Sequence, residues 1–242
     1  MPVGESRPIS KGMLKLTPIL IAIVYALVMY KFSAWKTART LDQQSSALND
    51  PALDLLNLDM AGALDLPKIM VHIYEIEPIN GLAAPDGRIF ITRGFFNKYK
   101  DGTVSAAEMA SVIAHELGHV ALGHSRRRMI DFSGQNAIRV ALATVLGRFL
   151  PGVGVWIANM LTTMLAARLS RSDEHEADAY ASALLTKAGI GTAPQKSLFL
   201  KLDKLTGSLG AGTPAWLLSH PKTAERIAAI EAREAKWGVT QV

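Results

Sequence analysis

The stretch Ser105-Ala106-Ala107-Glu108-Met109-Ala110-Ser111-Val112-Ile113-Ala114-His115-Glu116-Leu117-Gly118-His119-Val120 decides how this chain is read. Ser105 and Glu108 stand three apart ahead of an apolar run, a pairing that predicts a capped helix start with Ser105 at the N-cap and Glu108 at N3. On such a helix His115 and His119 lie one turn apart and about 40° apart around the axis, so two imidazoles can grip one metal ion. Glu116 stands about 100° round from His115. Its carboxylate can flank an open coordination position, take a proton from water there and deliver it to a leaving amine. Val112, Ile113, Ala114, Leu117 and Val120 are apolar, and ionisable groups set in such a helix are costly unless paired or metal-bound. Without those neighbours, two histidines and a glutamate read equally well as a polar helix face.

A catalytic zinc takes three protein ligands and keeps one position open, and histidine with carboxylate is a usual zinc donor set. One extended pattern places a glycine three residues after the second histidine and another histidine three beyond; Leu122 and Ser125 occupy those positions, so it fails. His124 follows His115 by nine residues, about 180° round a continuous helix. It is therefore expected to point away from the metal, as a core or second-layer histidine. The remaining candidates lie in Ser170-Arg171-Ser172-Asp173-Glu174-His175-Glu176-Ala177-Asp178. Glu174 and Asp178 are again four apart, so one can bind metal while the other orients a ligand histidine. Periodicity alone does not choose between the acids, and Asp173 and Glu176 suit a solvated acidic face.

Around this centre the chain divides as follows. Residues 1–12 are a polar tail. Residues 13–30, MLKLTPILIAIVYALVMY, carry one charge, Lys15, and are just long enough to cross a hydrocarbon core of ~30 Å. Lys31-Phe32-Ser33-Ala34 makes a poor signal-cleavage site, so an uncleaved transmembrane anchor is preferred over a signal peptide or a buried helix. Residues 31–64 read as an amphipathic or irregular connector, and 65–238 as the metal-bearing domain. Within it, 69–74 and 88–92 read as strands, the second after the turn Pro85-Asp86-Gly87. A helix is expected over 168–187, stopping at Gly189. Further helices are expected from Pro194, from Thr213-Pro214, and over 223–237 ahead of Gly238. The apolar stretch 137–167 reads as a lid or core helix, with a re-entrant membrane hairpin as the alternative.

The chain has no cysteine, which excludes disulfides, thiolate metal sites, thiol nucleophiles and a lipid attached through sulfur. With 26 basic against 21 acidic residues the balance is +5, yet the positives are scattered apart from Arg126-Arg127-Arg128, so no nucleic-acid footprint is read. Arg7 and Lys11 precede the anchor while Lys31, Lys36 and Arg39 follow it, which slightly favours a cytoplasmic domain. The missing cysteines lean the other way. The expectation is a single-pass protein of a bacterial-type inner membrane with its domain on the periplasmic side.

The sequence resembles the zinc metallopeptidases that include HtpX and the CAAX prenyl endopeptidases, peptidase family forty-eight, over residues 65–235. Four segments carry the likeness in order: Asn80-Gly81-Leu82-Ala83-Ala84-Pro85-Asp86-Gly87 with Thr92-Arg93-Gly94; His115-Glu116-Leu117-Gly118-His119-Val120; Ser170-Arg171 with Glu174 and Ala177-Asp178; and Ser219-His220-Pro221 with Arg226-Ile227. The resemblance implies a mainly α fold with a small β-sheet (α+β), of the gluzincin type. It implies one Zn2+ per chain held by His115, His119 and Glu174, with Glu116 as catalytic base, Asp178 behind a ligand and His220 near the metal. It also implies that the strand near 88–92 pairs with an extended substrate, making Asn80, Ala83, Ile89 and Ile91 substrate-binding residues. The chain departs from the family pattern at Gly81, Leu82 and Asp86-Gly87, which bears on the substrate strand rather than the metal. The expected function is a membrane-anchored zinc endopeptidase acting on protein or peptide substrates, with membrane lipid met through the anchor and a part in envelope quality control. The rivals are an anchored chaperone or binding module with a resting zinc, and a metal-free scaffold.

Overall fold

A computed structural model describes residues 11–84, 86–151, 153–207 and 223–238. Helix α4 (Ala106–Ala121) is the axis of the fold. Its start is the expected capping box: the Ser105 hydroxyl accepts from the Glu108 amide, and the Glu108 carboxylate accepts from the Ser105 amide at 2.7 Å. The same carboxylate also accepts from Lys201 at 2.7 Å and Ser197 at 2.6 Å, so the cap doubles as the tie to α7 (Ala193–Gly207). From Glu108 to Glu116 every residue of α4 is buried. Met109 and Ile113 pack with Leu53 and Met60 of α2 (Pro51–Ala63) and with Leu185 and Leu198. Each such fully buried side chain contributes ~1.5–3 kcal/mol, which offsets the cost of the polar groups that share the helix.

The sheet lies beside α4 in the order β1-β2-β4-β3. Strand β1 (Ser45–Ala47) runs antiparallel to β2 (Val71–Tyr74), β2 runs parallel to β4 (Ile89–Thr92), and β3 (Gly81–Ala83) closes the other end antiparallel to β4. After β4 the chain turns into α3 (Arg93–Lys100), where a Cβ on Gly94 would stand 1.7 Å from the Glu77 carbonyl oxygen. Only glycine fits there.

Two expectations about organisation change. The connector at 31–64 is not a linker: α1 runs unbroken over Lys11–Gln43, β1 joins the sheet, and α2 buries Leu53 and Met60 against α4. The boundary drawn at residue 65 falls inside the folded unit, because the domain needs β1 and α2 to cover β2 and α4. Secondly, the described part of 137–167 is for the most part not core. It forms the outer part of a helical hairpin made by α5 (His124–Phe149) and α6 (Gly154–Lys187), and its apolar side chains are largely exposed. The helix expected over 168–187 is the second half of α6, since nothing between Gly154 and Lys187 breaks the backbone ladder. Helix α8 (Thr223–Trp237) then packs on α6 and α7, ending before Gly238 at φ 66° as expected. The expected helix start at Thr213-Pro214 lies outside the described residues. Among the described residues no helix is long and apolar enough to cross a membrane.

Candidate metal centre

Helix α6 crosses α4 at Gly118. A Cβ there would meet the Ala177 Cα and carbonyl oxygen, both at 3.0 Å, so the missing side chain lets the two backbones touch. That contact carries Glu174 to the two histidines. His115 Nε2 and His119 Nε2 lie 3.1 Å apart, and the Glu174 carboxylate oxygens lie 3.3 Å from the first and 3.4 Å from the second. All three side chains are buried. Two imidazole nitrogens and one carboxylate brought this close fit a zinc ion by donor chemistry.

The outward nitrogens are held as well. His115 Nδ1 meets Asp178 Oδ1 at 3.0 Å, and Asp178 accepts two 2.7 Å bonds from Arg226, one per oxygen. The Arg226 guanidinium in turn lies 4.1 Å from the centre of the Phe199 ring. His119 Nδ1 meets His124 Nδ1 at 3.0 Å, and His124 Nε2 faces Glu176 at 3.3 Å and Asp173 at 3.7 Å. If the two Nε2 atoms present lone pairs inward, each Nδ1 must donate. Asp178 accepts one proton, His124 accepts the other, and His124 then donates from Nε2 to the acids behind it. These tautomers are assigned from the network.

Electrostatically the pocket favours positive charge. Burial presses against a charged His115, but the hydrogen bonds it donates to Asp178 and Glu174 outweigh it and hold the imidazole up to about 9. Burial likewise works against an ionised Asp178, but Arg226 and His115 keep it well below the usual carboxylate range.

Glu116 is buried on α4 beside β3. A Cβ on Gly81 would stand 2.9 Å from Val112 Cγ1 and 3.1 Å from Glu116 Oε1, so the glycine makes room for the carboxylate. The expected substrate strand needs correcting. Ile89 and Ile91 sit in the interior strand β4, 1% and 0% exposed, with β2 on one side and β3 on the other. A strand bonded on both edges has no row of backbone groups to offer a peptide. Among the described residues the terminal strand on this side is β3. Thr92 N donates to Asn80 O and Ala84 N to Arg88 O, so the alternation turns the backbone groups of Gly81 and Ala83 away from β4. Asn80 precedes β3 and is tied to Thr92 through its amide and carbonyl at 3.0 Å. His220 lies outside the described residues.

His124 is the buried second-layer histidine expected, but it turns back onto His119 rather than away because Gly123 adopts φ +70° and separates α4 from α5; the 180° offset held only for a continuous helix, and two further roles, those of Asp173 and Arg226, escaped the reading of the residues. Gly123 itself was the available signal. Asp173 is buried rather than solvated, facing His124 and, at 3.7 Å, Arg127. Arg226 was quoted without a role, and it clamps Asp178.

An HExxH helix crossed by a second helix that supplies glutamate defines a metallopeptidase-type centre. Residues 47–234 match the model of Peptidase family M48, and the chain belongs to that family. It is 32% identical over 167 residues to metalloprotease LoiP of Escherichia coli, covering 69% of this chain and 63% of LoiP. It is 30% identical over 161 residues to metalloprotease YcaL of the same organism, covering 66% of this chain and 60% of YcaL. A protease HtpX homolog of Bordetella pertussis is 26% identical over 270 residues, covering 95% of this chain and 90% of that protein. The chain thus spans 60% to 63% of the length of the two Escherichia coli relatives.

Proposed function

We propose that this protein is a zinc-dependent metalloendopeptidase, anchored in a membrane through residues 13–30, that hydrolyses protein segments near that membrane, including damaged or misassembled ones. The observation that carries the reading is the buried convergence of His115, His119 and Glu174 with Glu116 beside them. Zinc, when bound, supplies Lewis acidity toward a scissile carbonyl and toward water. The chain's own residues do the rest. Asp178, fixed by Arg226, keeps the His115 ring oriented, and His124 does the same for His119. Glu116 takes the proton from the attacking water and returns it to the leaving amine. Strand β3 receives an extended substrate as an added strand, with Gly81 supplying backbone partners and Asn80 bracketing its start.

The test is Glu116→Gln with elemental analysis beside a peptide-cleavage assay. The variant should keep about one zinc per chain and lose cleavage by at least ~10²-fold. Glu174→Ala should lose the zinc. Undiminished turnover in Glu116→Gln would remove the role given to Glu116, and a metal-free wild type after reconstitution would remove the reading altogether.

A further inference from the structure

Helix α1 continues past its apolar run and lies across the face of the sheet that α4 does not cover. Leu41 is buried there with Phe90 and Ala84. Beside that contact α1 and the sheet enclose a cavity of about 330 Å3, lined by Lys36, Thr37, Thr40, Leu41, Tyr74 and Leu82. Small-molecule pockets begin at roughly 300 Å3, so the space is ample for one amino-acid side chain. The polar groups on its wall are already engaged. Thr40 Oγ1 donates to Lys36 O at 3.0 Å, within the helix, and the Tyr74 hydroxyl donates to Gln44 Oε1 at 3.2 Å. What remains for an occupant is apolar: Leu41, Leu82 and the Tyr74 ring, with Lys36 exposed at the rim.

Strand β3 links this cavity to the metal centre by alternation. A Cβ on Gly81 would point at Val112 and Glu116, so Gly81 faces α4. Leu82, next in the strand, faces α1. A strand added to the outer edge of β3 follows the same alternation. Its residue across from Gly81 turns its side chain toward Glu116. The neighbouring residue, across from Leu82, turns its side chain to the opposite face, where the cavity opens. Two residues further along, across from Ala84, the same face holds a smaller cavity of about 130 Å3 between Ala84 and Ala34 and Ala38 of α1.

We propose that the larger cavity is a subsite for a large apolar side chain of the substrate, Leu, Met or Phe, at the position across from Leu82. Helix α1 is then a specificity element as well as the carrier of the apolar run. The proposal rests on the peptidase reading and on strand addition at β3. A large apolar side chain takes the lining out of water, whereas a small one does not reach it. A Lys or Arg side chain meets the like charge of Lys36 at the rim.

The test uses the full chain in detergent micelles, loaded with zinc, because α1 forms one wall of the subsite. A degenerate peptide library is digested, and the residues flanking each cut are read by mass spectrometry. The wild type should favour Leu, Met and Phe over Ala by ~10-fold or more at one position. Thr37→Trp and Thr40→Trp each place an indole in the cavity from the surface of α1. Zinc content and circular dichroism check that each variant is folded and loaded. Either variant should shift that one position toward Gly and Ala and leave the preferences at the other positions as they were. Unchanged preference in both folded variants overturns the proposal. An equal fall for every peptide also overturns it, since α1 would then be supporting the sheet rather than reading a side chain. A wild-type preference for Asp or Glu at that position overturns the apolar assignment and makes Lys36 the reader. No cleavage by the zinc-loaded wild type removes the peptidase reading and the subsite with it, a result distinct from cleavage without preference.

Discussion

The two halves of α6 invert the usual rule of burial in opposite directions. Toward its C-terminal end Asp173, Glu174 and Asp178 are 6%, 0% and 0% exposed, while toward its N-terminal end Val155, Trp156 and Met164 are 52%, 63% and 61% exposed. Both departures are costly in water, and each has its own remedy. The buried acids are tolerable because histidine, arginine or a metal ion answers each charge. The exposed apolar groups are tolerable only if something other than water surrounds them. One continuous helix thus joins a buried polar centre that could hold a metal ion to an exposed apolar surface.

The comparison breaks most severely at Asp178. Asp178→Asn leaves Arg226 buried against a neutral partner, and removing one member of a buried pair costs ~3–5 kcal/mol. Denaturant unfolding of the EDTA-treated variant should show that loss. The same cluster sets a pH window for the metal-free protein. Asp178 has a depressed folded pKa, so its stabilisation is present above ~4 and is lost as pH falls through the depressed value. His115 is raised from 6.5 to about 9, so its stabilisation is complete below 6.5 and is lost as pH rises through about 9. These two groups together favour the range from ~4 to ~6.5. In Asp178→Asn the alkaline decline should move to lower pH, because Asp178 is the chief partner holding His115 up.

A smaller effect is expected at His124, which acts on the metal only through His119. His124→Phe removes the acceptor for His119 Nδ1 and should weaken zinc affinity ~10–100-fold in a competition titration. His124→Asn places an amide oxygen near the lost Nδ1 and should recover much of that affinity. Equal weakening by both variants would mean that His124 serves packing rather than orientation. The arm through Asp178 ends on a carboxylate and the arm through His124 on a neutral ring, so the first should weigh more heavily on metal affinity as well as on stability.

Much of the buried half was legible and little of the exposed half was. The capping box at Ser105 and Glu108 and the spacing of His115, Glu116 and His119 are local, and local signals survive in sequence. The choice of Glu174 among neighbouring acids depends on the Gly118–Ala177 crossing, which periodicity does not contain; the resemblance supplied it. The arrangement of β3 outside β4 was missed because a three-residue strand has too little alternation to register. Ile89 and Ile91 were assigned to substrate on the resemblance, and whether a strand is edge or interior depends on partners distant in sequence. Residues 137–167 were read as lid or core because an apolar helix is ambiguous between protein and lipid surroundings until its neighbours are known.

The smallest effect should come from Met164→Ala, set against Leu185→Ala on the same helix. Leu185 is fully buried in the core with Ile113 and Leu198 near it, and truncating such a residue costs ~2–5 kcal/mol. Met164 is 61% exposed, so its truncation leaves no cavity and should change stability by less than ~0.5 kcal/mol in mild detergent. A loss above ~1 kcal/mol at Met164 would be larger than an exposed site permits. It would mean that a protein surface covers the hairpin, and the two halves of α6 would then differ only in which protein buries them.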